Sequence, residues 1–228
     1  MENVVLNGCT CYNGDSLELM ATMPDKCVDF ILSDIPYDLD LNGGGAHGDF
    51  CTRKQIQSRK NSSLYFVSQG IDYDKVFSEF ERICKVVNIC VFCSNKQIGR
   101  IMTWWEQRGY VATLLVWDKP NPMPLGNGCY INNLEFIVYV RSKGATYNSL
   151  GYDMQFKTFR NQPPQAKERI HETEKPVSHC NACCCSTPTR VMWCLTLTPA
   201  LSPQPLPATR KNANSLVARY YQNTTSRP

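Results

Sequence analysis

The chain has 228 residues, 43% of them hydrophobic, enough to bury the core of one α/β domain, and no apolar run approaches the length of a membrane span. Its net charge of +4 does not mark a nucleic-acid surface: residues 1–177 hold 19 basic against 20 acidic residues, a charge of −1, while the last 51 hold five basic residues and no acid. Thirteen cysteines in a secreted chain would suggest a disulfide framework, but Met1-Glu2-Asn3 lacks the basic and apolar regions of a signal peptide, and a cytoplasmic protein is expected.

Taken in order, Val4 to Asn13 reads as a short strand, followed by Gly14-Asp15 and a helix from Ser16 to Met23 that Pro24-Asp25 ends. Asp15 thus falls at the carboxyl end of a strand. Val28-Asp29-Phe30-Ile31-Leu32 is a compact apolar run, as expected of a strand buried on both faces of a parallel sheet. Pro36 cannot donate to a ladder and biases Ile35 away from helix, so the strand stops there. Asp34 and Tyr37 are left at its carboxyl end, where open α/β sheets place their ligands. Taken alone, Asp34-Ile35-Pro36-Tyr37 fits a strand-ending turn equally well. Leu39 to Ser63, polar and glycine-rich, reads as a mobile loop beside this point.

Tyr73 to Val86 has helical spacing (Val76, Phe77, Phe80, Ile83, Cys84), and Ile89 to Cys93 is a buried strand in which cysteine serves as a small hydrophobe. Ile98 to Gly109 is helical and ends on glycine. Val111 to Trp117 and Leu134 to Val140 are strands flanking Asp118-Lys119-Pro120-Asn121-Pro122-Met123-Pro124, an apparent hairpin. The whole reads as a doubly wound α/β sheet with an antiparallel element near its end. From Ala145 to Ile170, aromatics (Tyr147, Tyr152, Phe156, Phe159) alternate with basic residues (Lys157, Arg160, Lys167, Arg169). Such interleaving suits phosphate contact with base stacking, and a solvated surface segment is the competing reading.

Five ordered segments carry a resemblance: Asn13-Gly14-Asp15-Ser16; Ser33-Asp34-Ile35-Pro36-Tyr37; Trp117 to Pro124; Glu135-Phe136; and Arg169-Ile170-His171-Glu172-Thr173-Glu174-Lys175-Pro176. In content and order they resemble the amino-methylating DNA methyltransferases of the β arrangement, in which the catalytic motif precedes the cofactor-binding glycine motif. Ile35 and Glu172 stand where that family usually has proline. The resemblance covers residues 1–177 and implies a Rossmann-like, S-adenosylmethionine-dependent methyltransferase sheet, with 145–170 as candidate target-recognition segment.

Carried over, Asp34 accepts a hydrogen bond from the target amino group, the Ile35 carbonyl a second, Pro36 fixes the turn and Tyr37 stacks on the base, which must leave the duplex to be reached. An exocyclic amine is a poor nucleophile because its lone pair is delocalised into the ring. Two acceptors holding its protons favour a pyramidal nitrogen whose lone pair can meet a sulfonium methyl in line. The same resemblance assigns Asp15 to the cofactor adenine and Thr173, Glu174, Lys175 and Pro176 to its methionine end. For Asp15 the competing role is a helix N-terminal acid, and for Lys175 a surface lysine. The acid at Asp34 resembles adenine-N6 enzymes more than the serine typical of cytosine-N4 enzymes, which remain the alternative. Implied partners are double-stranded DNA and, where a restriction-modification pair exists, a cognate endonuclease.

Residues 178–228 break the pattern, with five cysteines, six prolines, no acid and no strand or helix period. A zinc-binding module built on His179, Cys180, Cys183, Cys184 and Cys185 is one account, but contiguous cysteines fit tetrahedral ligand spacing poorly. A shifted reading frame is the other. Methionine and tryptophan have single codons, so Met192-Trp193-Cys194 force Val-Val in the frame that takes the last base of each codon with the next two. There Arg190 to Ala200 admit GDVVFDPYAG, similar to the family's cofactor strand and glycine turn. Ser178 to Arg190 admit ALQRLLLLHSNPG, and Asn214 to Tyr221 admit FIGCEIL, a second strand ending near an acid. In the family's sheet these two strands lie between those ending at Asp15 and Asp34. The chain as written is therefore expected to lack the middle of its sheet and to end in a disordered tail.

Overall fold

The computed structural model describes residues 2–6, 9–13, 15–37, 71–122, 130–145, 147, 152–162, 175, 191–196 and 215–222. The glycine-rich segment 39–63 and residues 179–185 lie outside them, so neither the mobile loop nor the zinc ligands are described.

The strands are β1 (Glu2–Leu6), β2 (Cys9–Asn13), β3 (Phe30–Asp34), β4 (Asn88–Cys93), β5 (Val111–Asp118), β6 (Leu134–Arg141), β7 (Thr158–Arg160), β8 (Val191–Thr196) and β9 (Ser215–Gln222). They form one sheet in the order β1-β2-β9-β8-β3-β4-β6-β5-β7. The helices are α1 (Ser16–Thr22), α2 (Tyr73–Ile83) and α3 (Ile98–Glu106), with a 3₁₀ turn over Tyr152–Gln155. β3 pairs in parallel with β4 on one side and β8 on the other, while β6 enters antiparallel between β4 and β5. This is a Rossmann-like α/β sheet with the antiparallel hairpin anticipated near its end.

One expectation needs correction. Val4 to Asn13 is not one strand but the end of β1 and all of β2, paired antiparallel with Leu6 opposite Cys9. Between them stand Asn7-Gly8, the dipeptide that two-residue hairpins favour, a signal the apolar pattern obscured. The tail contributes β8 and β9, which stand between β2 and β3. A gap there would leave two rows of buried amides and carbonyls unpaired, and Val191–Leu195 and Leu216–Tyr221 are apolar enough to pair with them.

The two strands are unequal substitutes. β8 runs parallel to β3 with Phe30 opposite Cys194 and Leu32 opposite Thr196, as a doubly wound sheet requires. β9 runs antiparallel to both of its neighbours, β2 and β8. Its start, Ser215, lies beside Asn13 and its end, Gln222, beside Val191, so its carboxyl end is at the edge opposite Asp34. Arg219 stands at a central position of this flanked strand, opposite Cys9 and Cys194, where a charged residue is rare.

The core explains the rest. α1, α2 and α3 share one apolar cluster with Ile31, Ile89, Val91, Val138 and Val140 of the sheet. Phe30, Leu32, Cys90, Phe92 and Ile137 form a second cluster, as period-two alternation demands of strands buried on both faces. Phe77 of α2 is the hub, its ring 5.3 Å from Trp104 and 5.4 Å from Trp105 of α3. Arg82 locks α1 to α2 by donating to the carbonyls of Met20 (2.6 Å) and Met23 (2.9 Å) while pairing with Asp25 and Glu79. Helix α2 stops at Ile83 rather than Val86, because Cys84 turns into an extended bridge with Val28.

Candidate functional site

Strand β3 delivers the expected residues to the carboxyl edge of the sheet. Its five residues are all buried, and the chain leaves the ladder after Asp34, with Ile35 N–H still donating to Phe92 O at 3.4 Å. Ile35 remains in the core, 3% exposed, and Asp34 is 8% exposed. The turn that follows is held by a residue the sequence pattern did not flag. Gln97, fully buried at the start of α3, donates from Nε2 to the Pro36 carbonyl at 2.9 Å, and its Oε1 accepts from Ser94 N and Oγ, both at 2.9 Å. A buried glutamine with both ends engaged fixes the turn more tightly than proline alone.

Around Asp34 gathers a cluster of charges from distant parts of the chain. Lys175 Nζ lies 2.7 Å from Glu135 Oε2, 3.1 Å from Tyr37 Oη and 3.7 Å from Asp34 Oδ2. Lys119 Nζ meets the other oxygen of Glu135 at 2.6 Å. The Lys175 ammonium also sits 5.3 Å from the ring centre of Tyr37 and 5.4 Å from that of Phe92. Its side chain is 3% exposed, so the surface-lysine reading is overturned.

Burial dominates the electrostatics. It pushes the Asp34 carboxyl above its ordinary value; Lys175 pulls back, Glu135 adds to the rise, and hydrogen bonds from Tyr37 and Lys175 lower it. Burial, and then the charge of Asp34, carries the Tyr37 hydroxyl well above 10.0, which keeps it neutral. Burial alone would lower Lys175, but Asp34, Tyr37 and Glu135 together raise it well above 10.5. Burial would likewise raise Glu135, and the two lysines outweigh it, leaving this carboxyl below its ordinary value. Burial and Asp34 push the nearby Cys93 thiol up to about 12, so it stays protonated.

The strand pair beyond Glu135 builds the flank of the site. Asp118 Oδ1 accepts from Asn133 Nδ2 at 3.0 Å, and its Oδ2 lies 3.5 Å from Arg160 Nε. Trp117, 1% exposed, donates from its indole to Asn161 O at 2.8 Å. These contacts seat β7, inside the 145–170 segment, parallel to the edge of β5. On its approach Tyr152 and Phe156 are exposed and meet edge to face, 5.3 Å between ring centres, beside exposed Lys157.

Asp15 is the N-cap of α1: its Oδ1 accepts from Leu17 N (2.8 Å) and Glu18 N (3.2 Å), the role of a helix N-terminal acid. It is exposed, so its second oxygen retains room for a further donor. Thr173, Glu174 and Pro176 lie outside the described residues. No three His, Cys, Asp or Glu residues among the described ones are grouped to hold a metal ion, and no helix among them is long and apolar enough to cross a membrane.

Sheet order and the parallel core strands define a Rossmann-like α/β fold. Among solved structures the chain is similar to M1.HpyAVI, with a TM-score of 0.50 and 18% identity over 82% of this chain and 79% of that one. An M1.HpyAVI–SAM complex gives 0.49 and 19% over 82% and 80%, and the PvuII DNA methyltransferase (cytosine-N4-specific) gives 0.47 and 12% over 75% and 61%. No family model matches the sequence.

Proposed function

We propose that this chain carries the acceptor half of an S-adenosylmethionine-dependent DNA methyltransferase acting on adenine N6, and that its cofactor half is lost to a change of reading frame after Val177. The observation that carries the first part is the edge at Asp34: a buried carboxylate and a neutral tyrosine side by side on a turn pinned by Gln97. A flipped base stacked on Tyr37 brings its amine to Asp34 and the Ile35 carbonyl, which hold its protons and tilt the nitrogen toward a pyramidal form. Tyr152, Phe156 and Lys157 supply the stacking faces and charge that suit contact with DNA.

The cofactor side does not fit. A dinucleotide or nucleoside cofactor in such a sheet needs a glycine turn after its central strand and an acid at the end of the next, for close backbone approach and for ribose hydroxyls. After β8 the chain reads Leu197-Thr198-Pro199-Ala200, and the last 51 residues contain no glycine and no acid. β9 meets the reactive edge with its start, Ser215, because it runs in reverse. No transfer step follows for the chain as it stands. Asp15 and the 173–176 segment keep their proposed roles toward the cofactor only in a chain whose frame is restored.

Calorimetric titration of S-adenosylmethionine into the chain and into a version with the frame restored after Val177 tests the proposal. Expected are no binding at micromolar concentration by the first, and both binding and methylation of adenine-only duplexes by the second. Micromolar binding by the chain as written refutes the loss, and N4-methylcytosine on cytosine-only duplexes moves the specificity to the alternative. Stops in the alternative nucleotide frame beyond Val177 sink the frame argument.

A further inference from the structure

Four charges of alternating sign run from the flank of the site to its edge: Lys119 to Glu135 at 2.6 Å, Glu135 to Lys175 at 2.7 Å, and Lys175 to Asp34 at 3.7 Å. They come from four separate segments of the chain, so nothing local in the backbone brings them together. A buried ammonium is tolerated only where partners replace its hydration, and Lys175 has a carboxylate, a hydroxyl and two ring faces doing so. The arrangement is asymmetric. Glu135 holds Lys175 at 2.7 Å, whereas Asp34 meets the same ammonium more loosely, at 3.7 Å.

We propose that Lys175 is the positioning residue for Asp34: seated between two carboxylates, it holds Asp34 in place and charged, and Glu135 limits how strongly it does so. Lys119 acts one step further out, by neutralising Glu135 and loosening its claim on Lys175. This rests on the reading of Asp34 as the acceptor for the target amine, and it gives Lys175 a role on the base side of the site besides the one proposed for it toward the cofactor. The consequence is graded. A carboxylate gripped at 2.7 Å has that oxygen committed, while one met at 3.7 Å is held more loosely and has an oxygen freer to meet an incoming N–H. The other groups facing Asp34 add no charge: Tyr37 on its own loop and Cys93 on β4 are both held protonated.

Carbon-13 carboxyl NMR of the full chain, with labelled aspartate and Asp34→Asn to identify the signal, reads the Asp34 titration directly. Lys175→Gln is expected to move the midpoint up by about one pH unit or more, and Lys175→Arg to return most of that shift. Glu135→Gln is expected to move it down, because it removes a like charge and frees the ammonium for Asp34. A role confined to packing does not produce shifts of opposite sign. A midpoint unchanged in Lys175→Gln, or moved the same way by both neutral variants, overturns the proposal. Should Lys175→Gln fail to fold, Glu135→Gln decides alone, a downward shift supporting the assignment and any other result refuting it. No methyl transfer is read, so failure here is separable from failure of the acceptor chemistry itself.

Discussion

At the level of single residues, Asp34 and Gln97 make different contributions that kinetics can separate. In the frame-restored chain, Asp34→Ala is expected to abolish methylation while leaving DNA affinity within a few-fold, the mark of an interaction realised in the transition state; near-normal turnover would remove Asp34 from its role. Gln97→Ala strands the Pro36 carbonyl and both Ser94 donors in a buried setting, and loss of such partners costs on the order of 1–3 kcal/mol. Chemical denaturation should record that loss, and an unchanged midpoint would show that water replaces the side chain. The charge cluster also makes stability depend on pH. Lys175 is raised in the fold, so its contribution is complete below 10.5 and is lost as pH climbs through the higher folded value. Tyr37, raised above 10.0, acts in the same direction. Alkaline unfolding should therefore steepen above about pH 10.5, and Lys175→Met should flatten it. In acid the carboxyls oppose each other. Raised Asp34 favours the fold as pH falls, while lowered Glu135 contributes above 4.5 and is lost as pH drops through its folded value.

Among elements, α2 and α3 are joined by an aromatic cluster. Phe77→Ala would open a cavity beside Trp104, Trp105, Tyr73 and Phe80, and truncations of this kind cost about 3–5 kcal/mol. A thermal midpoint close to the parent's would mean the indoles collapse into the space. These elements were legible from sequence because their apolar spacing at three and four residues, and the unbroken apolar run of β3, are local signals. The edge at Asp34 was legible too, since Pro36 stops a strand whatever surrounds it. The burial of Lys175 against Glu135 and the part played by Gln97 were not. Their partners lie 138 and 61 residues away, and a lysine in an acidic, polar stretch looks like any solvated lysine until the sheet brings Glu135 beneath it. Pairing direction was equally invisible: nothing in Ser215–Gln222 states that β9 runs antiparallel, because apolar residues at alternate positions serve either polarity.

For the molecule as a whole, strands, helices and charges agree over β3 to β6, while β8 and β9 join the sheet through its hydrogen-bond ladder. Consistency of that kind is what gives a native basin its depth, so the two parts should differ in stability. Hydrogen exchange on the native chain should show β8 and β9 opening well before β3 and β4, by local unfolding that leaves the α2–α3 core intact. Uniform protection across all nine strands would make the tail an integrated part of the fold. The substitute strands nevertheless have a use that has nothing to do with catalysis. β3 is flat, apolar and buried on both faces, and without β8 its free side would be a template for the same strand of another chain. A chain cut after Val177 would keep Lys119, Glu135, Lys175 and Asp34 and expose that template. It is expected to scatter light and sediment as aggregates where the 228-residue chain does not, so that the tail acts as a sacrificial partner protecting the sheet from its own copies.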